Sequence, residues 1–270
     1  MAGVSSESLA AALASLETKL AHASLELSAE LFGAVEVLDG NAGLRRALTD
    51  PARGAQDKAG LVASLLRGKV SATAESTVAE LASSRWSSAR DIGDALETVA
   101  ATAAIAVAER QDGSAGLERL EEDLFAFIRV VGSSHDLQRA LDDPQASTEA
   151  KRALALRLLP NASAASALLI RQAVSAPRGL KPIALLERFV ELVAKRQERW
   201  IASVSVTRDL TTEQLARLQA GLNNLYGREL NINVEIDPAL VGGIRVKVGD
   251  EVVDATIATR VSDLRRRLAG

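Results

Sequence analysis

Leu44-Arg45-Arg46-Ala47-Leu48-Thr49-Asp50-Pro51 returns as Leu137-Gln138-Arg139-Ala140-Leu141-Asp142-Asp143-Pro144, 93 positions on and with six of eight residues identical. The same count pairs Leu31 with Leu124, Phe32 with Phe125 and Val37 with Val130 upstream. Downstream it pairs Lys58 with Lys151, Leu61 with Leu154, Leu65 with Leu158, Leu66 with Leu159 and Arg85 with Arg178. Shared composition explains one short match. A register that needs no gap over this span reads as a duplication, with copies covering roughly 31–110 and 124–200.

Each copy reads as short helices. Leu9, Leu13, Leu16 and Leu20 are spaced 4, 3 and 4, which places them on one helical face. Ile92, Leu96, Val99 and Ala103 do the same late in the first copy. Ile183, Leu186, Phe189, Val190 and Val193 do so in the second, in a helix predicted to start at Pro182. Asp50-Pro51 and Asp143-Pro144 each stop a helix, because the residue before proline avoids the helical region. The long polar break between copies is Gln111-Asp112-Gly113-Ser114, where a helix pair or a tight hinge fits.

From Trp200 the period changes to two. Ala202, Val204 and Val206 alternate with Ser203, Ser205 and Thr207, the pattern of a strand. Thr211 and Gln214 form a capping box, and Leu210 with Leu215 a hydrophobic staple, for a helix through Leu218, Leu222, Leu225 and Tyr226 that stops at Gly227. Leu230, Ile232, Val234 and Ile236 predict a second strand, Ile244, Val246 and Val248 a third, and Glu251-Val252-Val253 a fourth behind a Gly249-Asp250 turn. Asp254 is placed to cap a last helix carrying Ile257, Val261, Leu264 and Leu268. The predicted fold is mainly α: two tandem duplicated helical-bundle units, 1–110 and 111–200, and a small α/β module, 201–270.

Composition closes off several classes. The 270 residues are 47% hydrophobic but only 3% aromatic, so alanine and leucine must fill the core, and both favour helix. A formal net charge of −3 does not mark a polyanion binder. No cysteine excludes disulfides, thiolate zinc sites and cysteine nucleophiles. No basic segment followed by an apolar run is read at the N-terminus, so no signal peptide is expected, and no run approaches a membrane span.

Val234-Glu235-Ile236-Asp237-Pro238-Ala239-Leu240-Val241-Gly242-Gly243-Ile244-Arg245-Val246-Lys247-Val248-Gly249-Asp250-Glu251-Val252-Val253-Asp254 resembles the signature of the delta subunit of F-type ATP synthases. The mitochondrial counterpart of that family is the oligomycin-sensitivity-conferring protein. The signature positions are Asp237, Pro238, Gly242, Gly243, Gly249, Asp250 and Asp254, all structural in role. Arg139 to Pro144, Lys151 and the helix before Trp200 also match, so the resemblance covers roughly 112–270. Residues 1–111 look like the extra helical copy of longer actinobacterial-type delta subunits. Ala255-Thr256 departs from the Gly-Ser usual there.

The resemblance implies a non-catalytic stator subunit in the peripheral stalk. The helical part would bind N-terminal helices of the alpha subunits, and the C-terminal module would hold the b subunit. Proton-driven rotation then yields ATP synthesis because the head cannot turn with the rotor. The implied place is the cytoplasmic face of the cell membrane, with membrane contact only through the complex. The matching copy, 111–200, is expected to grip the head. The first copy is expected to offer a shallower groove, since Gly93 stands where Leu186 stands in the second by the count of 93.

No phosphate-binding loop and no dinucleotide fingerprint occurs, so no cofactor is expected. His135, beside Ser133, Ser134 and Asp136, reads as a polar loop ahead of a helix rather than a hydrolase centre. His22 reads as a mid-helix histidine, and two distant histidines offer no metal site. Glu121-Glu122-Asp123 reads as a solvated face, and Arg265-Arg266-Arg267 as cations complementing the last helix's dipole. Asn161-Ala162-Ser163 matches a glycosylation sequon that means nothing without secretion. Trp200 is expected in the core; Trp86 fits core or interface. The competing reading is a helical-repeat adaptor with an RNA-binding α/β tail. It requires aromatic residues on the C-terminal strands, and these carry none.

Overall fold

A computed structural model describes residues 3–227, 229–238, 240 and 242–254. They fall into two compact units, Met1–Val193 and Ala194–Gly270. The first sequence copy, and the second as far as Val193, lie in the first.

The first unit is helical: α1 (Val4–Glu17), α2 (Leu25–Gly40), α3 (Ala42–Thr49), α4 (Ala55–Leu66), α5 (Ala72–Ser83), α6 (Asp91–Gly132), α7 (His135–Asp142), α8 (Thr148–Leu158), α9 (Ala164–Ser175) and most of α10 (Pro182–Gln197). Short polar residues start most of them. Ser24, Asn41, Ser71, Ser134, Ser147 and Ser163 each accept a hydrogen bond from the backbone N–H three residues on, which satisfies a donor that the helix itself leaves orphaned. The quoted repeat is α3 and α7. Both end against Asp-Pro, with Asp50 at φ −61°, ψ 117° and Asp143 at φ −61°, ψ 116°.

The register is not gapless. It holds at 93 through α3/α7 and α4/α8, whose first residues are Ala42 and His135, and Ala55 and Thr148. The capping serines Ser71 and Ser163 then stand 92 apart. In the last helices, buried Leu96, Val99 and Ala103 match buried Leu186, Phe189 and Val193 at a spacing of 90. α8 has 11 residues to α4's 12, and the loop ahead of α10 is shorter than that ahead of α6, so counting alone misaligns the end of the repeat.

α6 is one 42-residue element broken at the expected polar stretch, where Asp112 (φ −133°, ψ 16°) and Gly113 (φ 62°, ψ −137°) leave helical geometry. The break brings its two halves together. A Cβ on Gly116 would lie 2.2 Å from the Ala108 carbonyl oxygen, so only glycine fits this approach. The half before the break is nearly all core: Ala95, Val99, Ala100, Ala101, Ala103 and Ala104 are fully buried. Small side chains let neighbouring helices pack closely on several of its faces. α2 lies along α6, with the Ser28 hydroxyl donating to the Ala100 carbonyl at 2.8 Å. α1, α5 and α9 also pack on α6.

The second unit contains β1 (Ile201–Val206), α11 (Thr212–Tyr226), β2 (Asn231–Ile236), β3 (Ile244–Val248) and β4 (Glu251–Asp254). The sheet order is β2-β1-β3-β4, with β1 parallel to β2 and antiparallel to β3. A parallel pair needs a crossover, and α11 is that crossover. It begins with the predicted Thr211/Gln214 capping box and ends at Gly227 in the left-handed region, φ 65°. Ala202, Val204 and Val206 alternate inward and pack with Leu222, Leu230, Val246 and Val248.

Candidate functional site

The signature positions build the turns at both ends of β3. The Asp237 N–H donates to the Val206 carbonyl at 2.8 Å and extends the β1/β2 pairing by one bond; the Leu240 N–H returns to the Asp237 carbonyl at 3.2 Å, closing a turn through Pro238. Gly242 and Gly243 then take φ 98° and 90°, a left-handed region that disfavours side chains, and the chain re-enters as β3. Gly249, φ 58°, and Asp250 link paired Val248 and Glu251, a two-residue hairpin with glycine at its first central position. The Asp250 carboxylate lies 4.0 Å from the Lys195 ammonium. Asp254 pairs across the ladder with Arg245 at 3.4 Å. Its expected capping role, Ala255-Thr256, the last helix and Arg265-Arg266-Arg267 lie outside the described residues.

The edges of this unit carry apolar side chains open to water. Val234 and Ile236 on β2, Val252 and Val253 on β4, and Leu225 on α11 are all exposed. In the helical unit, Phe125 and Val130 on α6 and Leu156 on α8 are exposed too. Phe32, matched to Phe125 by the repeat, is instead buried against Phe189, ring centroids 6.3 Å apart.

A charge cluster joins the two copies. Arg178, held at φ 53° in the loop before α10, donates to Asp39 of α2 and, at 2.7 Å, to Asp94 of α6. Its Nη1 also lies 3.6 Å from Glu97 Oε2, and Arg188 Nη1 lies 3.8 Å from the same oxygen. The Arg90 guanidinium donates to the Arg178 carbonyl at 2.9 Å, and that tie supports the strained backbone. Glu97 is 2% exposed, and its Oε1 has no partner. Desolvation pushes its carboxyl up to about 7; Arg178 and Arg188 oppose the shift, and Asp94 and Asp39 add to it.

The cluster corrects the reading of Gly93. A Cβ there would sit 2.4 Å from Arg178 Nη2. The glycine makes room for a guanidinium, and by burial it is Leu96 that corresponds to Leu186. The count could not show this, because it pairs Arg178 with Arg85, an exposed residue outside the cluster.

Other singled-out residues have ordinary places. His135 is exposed at the first position of α7, behind the Ser134 cap. His22 is exposed in a 3₁₀ turn, Leu20–His22, rather than mid-helix. Trp86 belongs to the core, its Nε1–H donating to the Leu81 carbonyl at 2.8 Å. Trp200 is only half-buried, in the 3₁₀ turn Glu198–Trp200, where the chain leaves α10 for the sheet. Asp123 is more than solvated surface: its Oδ2 accepts from the Ser163 N–H and the Ser166 hydroxyl, fastening the start of α9. Among the described residues, no group of histidine, aspartate and glutamate is arranged to hold a metal, and no helix is long and apolar enough to cross a membrane.

The ATP synthase delta (OSCP) subunit family model matches residues 97–268, so the match begins inside α6. ATP synthase subunit delta of Pseudarthrobacter chlorophenolicus is 61% identical over 275 aligned positions, covering 100% of each chain. The proteins of that name from an Arthrobacter species and Renibacterium salmoninarum are 62% and 59% identical, again over 100% of both chains. The first copy is therefore shared with these actinobacterial relatives, and on the match of its greater part and of its whole length this chain belongs to the ATP synthase delta (OSCP) subunit family, a non-catalytic subunit of the ATP synthase complex.

Proposed function

We propose that the chain is a stator element of the peripheral stalk, which holds the catalytic head against rotation so that proton flow is converted into ATP synthesis. The helical unit docks N-terminal helices of the alpha subunits. The C-terminal module holds the b subunit, on the cytoplasmic face of the membrane. The two sequence copies divide the helical work, with 111–200 gripping the head. The observation that carries this reading is the full-length match to delta subunits.

The exposed apolar side chains support it. Phe125 and Val130 lie on the exposed side of α6, and Val234 and Ile236 lie on an edge strand, where partner segments commonly add. A stator bears load continuously, which calls for slow dissociation and nanomolar affinity, about −12 kcal/mol. The RNA-binding alternative gains nothing, since β1 to β4 carry no aromatic side chain on which a base could stack.

Co-purification of the tagged full chain with the alpha and b subunits is the test. Recovery of both is expected. Phe125→Asp should lose alpha while keeping b, and Val234→Asp should do the reverse. Recovery of neither subunit by the unmodified chain would overturn the proposal.

A further inference from the structure

The first copy holds a cavity of about 560 Å³ between the start of α4 and the loop before α6. Arg53, Gly54, Lys58, Arg85 and Trp86 are among its walls. Lys58 is 4% exposed, and its ammonium has no hydrogen-bond or ion-pair partner among the described residues. Its Nζ is not among the buried unpartnered atoms, so the lysine keeps its charge in open space, available to a ligand. Here its stem is sealed in the core and the residue lines the cavity.

The same cavity holds the start of α4, whose N-cap is Gly54 with no side-chain cap. The backbone donors of the first turn are therefore not taken up by a cap, and they carry the positive end of the helix dipole. Arg53 and Arg85 add two exposed guanidiniums on the rim. Carboxylates stand nearby without lining the cavity: Asp57 of the first turn, exposed, and Asp50, whose Oδ1 accepts from the Ala52 N–H at 2.9 Å.

The second copy lacks this arrangement. The matching helix α8 is capped by the Ser147 hydroxyl, and Lys151 is half-buried. The loop that corresponds to Trp86's, residues 176–181, carries no aromatic residue, so there is no aromatic wall.

We propose that this cavity binds a phosphate-class oxyanion, with Lys58 as the counter-ion on a stem fixed in the core, the first turn of α4 supplying backbone donors, and Arg53 and Arg85 closing over it. Three cations and a helix N-terminus suit a dianion, as at other helix-terminal phosphate sites. The anion is either free phosphate or the phosphate of a small monoester whose body lies against Trp86 and Pro51.

Calorimetric titration of the full chain with inorganic phosphate and with glycerol phosphate, at ionic strength matched with sodium chloride, tests this. Saturable binding to the unmodified chain is expected, with a rise in melting temperature. The tighter of the two ligands identifies the source. Lys58→Met should weaken binding at least tenfold and should melt no lower than the unmodified chain in the absence of phosphate, because it removes an unpartnered charge. Arg85→Gln, at an exposed position that leaves folding intact, should weaken binding severalfold, and Lys151→Met should leave it unchanged. Absence of binding by either ligand, or undiminished binding in both Lys58→Met and Arg85→Gln, overturns the site.

Discussion

The two copies share their backbone instructions and differ in what their side chains meet. α3 and α7 have the same length, start behind polar caps and stop at Asp-Pro with almost the same dihedral angles. Yet Phe32 is buried and Phe125 exposed, and α4 begins behind a glycine while α8 begins behind a serine. Arg85 borders a cavity, whereas Arg178 is locked among three carboxylates. Duplication preserved the residues that set helix ends. Divergence collected where one copy had to pack on the other, because a packed surface has a partner and its free counterpart does not.

The largest test removes the lock. Arg178→Met leaves Asp39, Asp94 and Glu97 without their shared cation in a buried setting, and should cost about 3–5 kcal/mol. Arg85→Met should change stability by no more than about 0.5 kcal/mol. Urea unfolding of both variants decides it, and equal losses would erase the distinction between the arginines.

Next is Glu97→Gln. The folded carboxyl titrates at about 7 against an ordinary 4.5, so the fold favours its protonated form. The stabilisation is full below the unfolded value and is lost as pH rises through about 7. Its upper bound is roughly 3 kcal/mol. Melting at about pH 5 and about pH 8 should show the unmodified chain losing this increment and the variant losing much less of it. A variant with an undiminished loss would place the titration elsewhere.

Gly93→Ala is intermediate. Its methyl group enters the space of a guanidinium tied by ion pairs, and should cost about 1–3 kcal/mol, read by chemical unfolding. A neutral result would mean that Arg178 can move aside freely. The smallest effect belongs to Gly54→Ser, which gives α4 the cap that α8 has. Gly54 already sits at φ −61°, ψ 148°, where serine is comfortable. Stability should rise by a few tenths of a kcal/mol while phosphate binding weakens; a gain in phosphate binding would show that the open first turn contributes nothing.

What could be read from the sequence follows from the range of the physics. Asp-Pro, Thr211 with Gln214, Gly227 and Gly249-Asp250 act on their own few residues, and all appear where local rules place them. Period-two alternation located β1 to β3, and the Gly249-Asp250 turn placed β4. The charge cluster was out of reach because its members come from positions 39, 94, 97, 178 and 188, and no spacing joins them. One signal was available: Glu97 is the sole charged residue between Asp94 and Glu109, in a run of alanine and branched side chains. Lys58 was matched to Lys151 as a repeat position, and identity concealed that one is buried and the other half-buried. The slipped register also needed the structure, because a residue lost at a helix end or in a loop leaves the apolar pattern of the neighbouring helices intact.

The way the two copies pack on one another bears on cooperativity. α1, α2 and α5 of the first copy pack on α6, and so does α9 of the second. The family match also begins within α6, at Glu97. A tandem repeat whose members each own all their helices can melt in steps, one member at a time. Two members that bury each other's surfaces cannot: Phe32 of the first packs on Phe189 of the second, and Arg178 of the second is tied to Asp39 and Asp94 of the first, so loosening either exposes both. Met1–Val193 should therefore melt in a single transition, with no seam at the repeat boundary along which sustained mechanical load could open it.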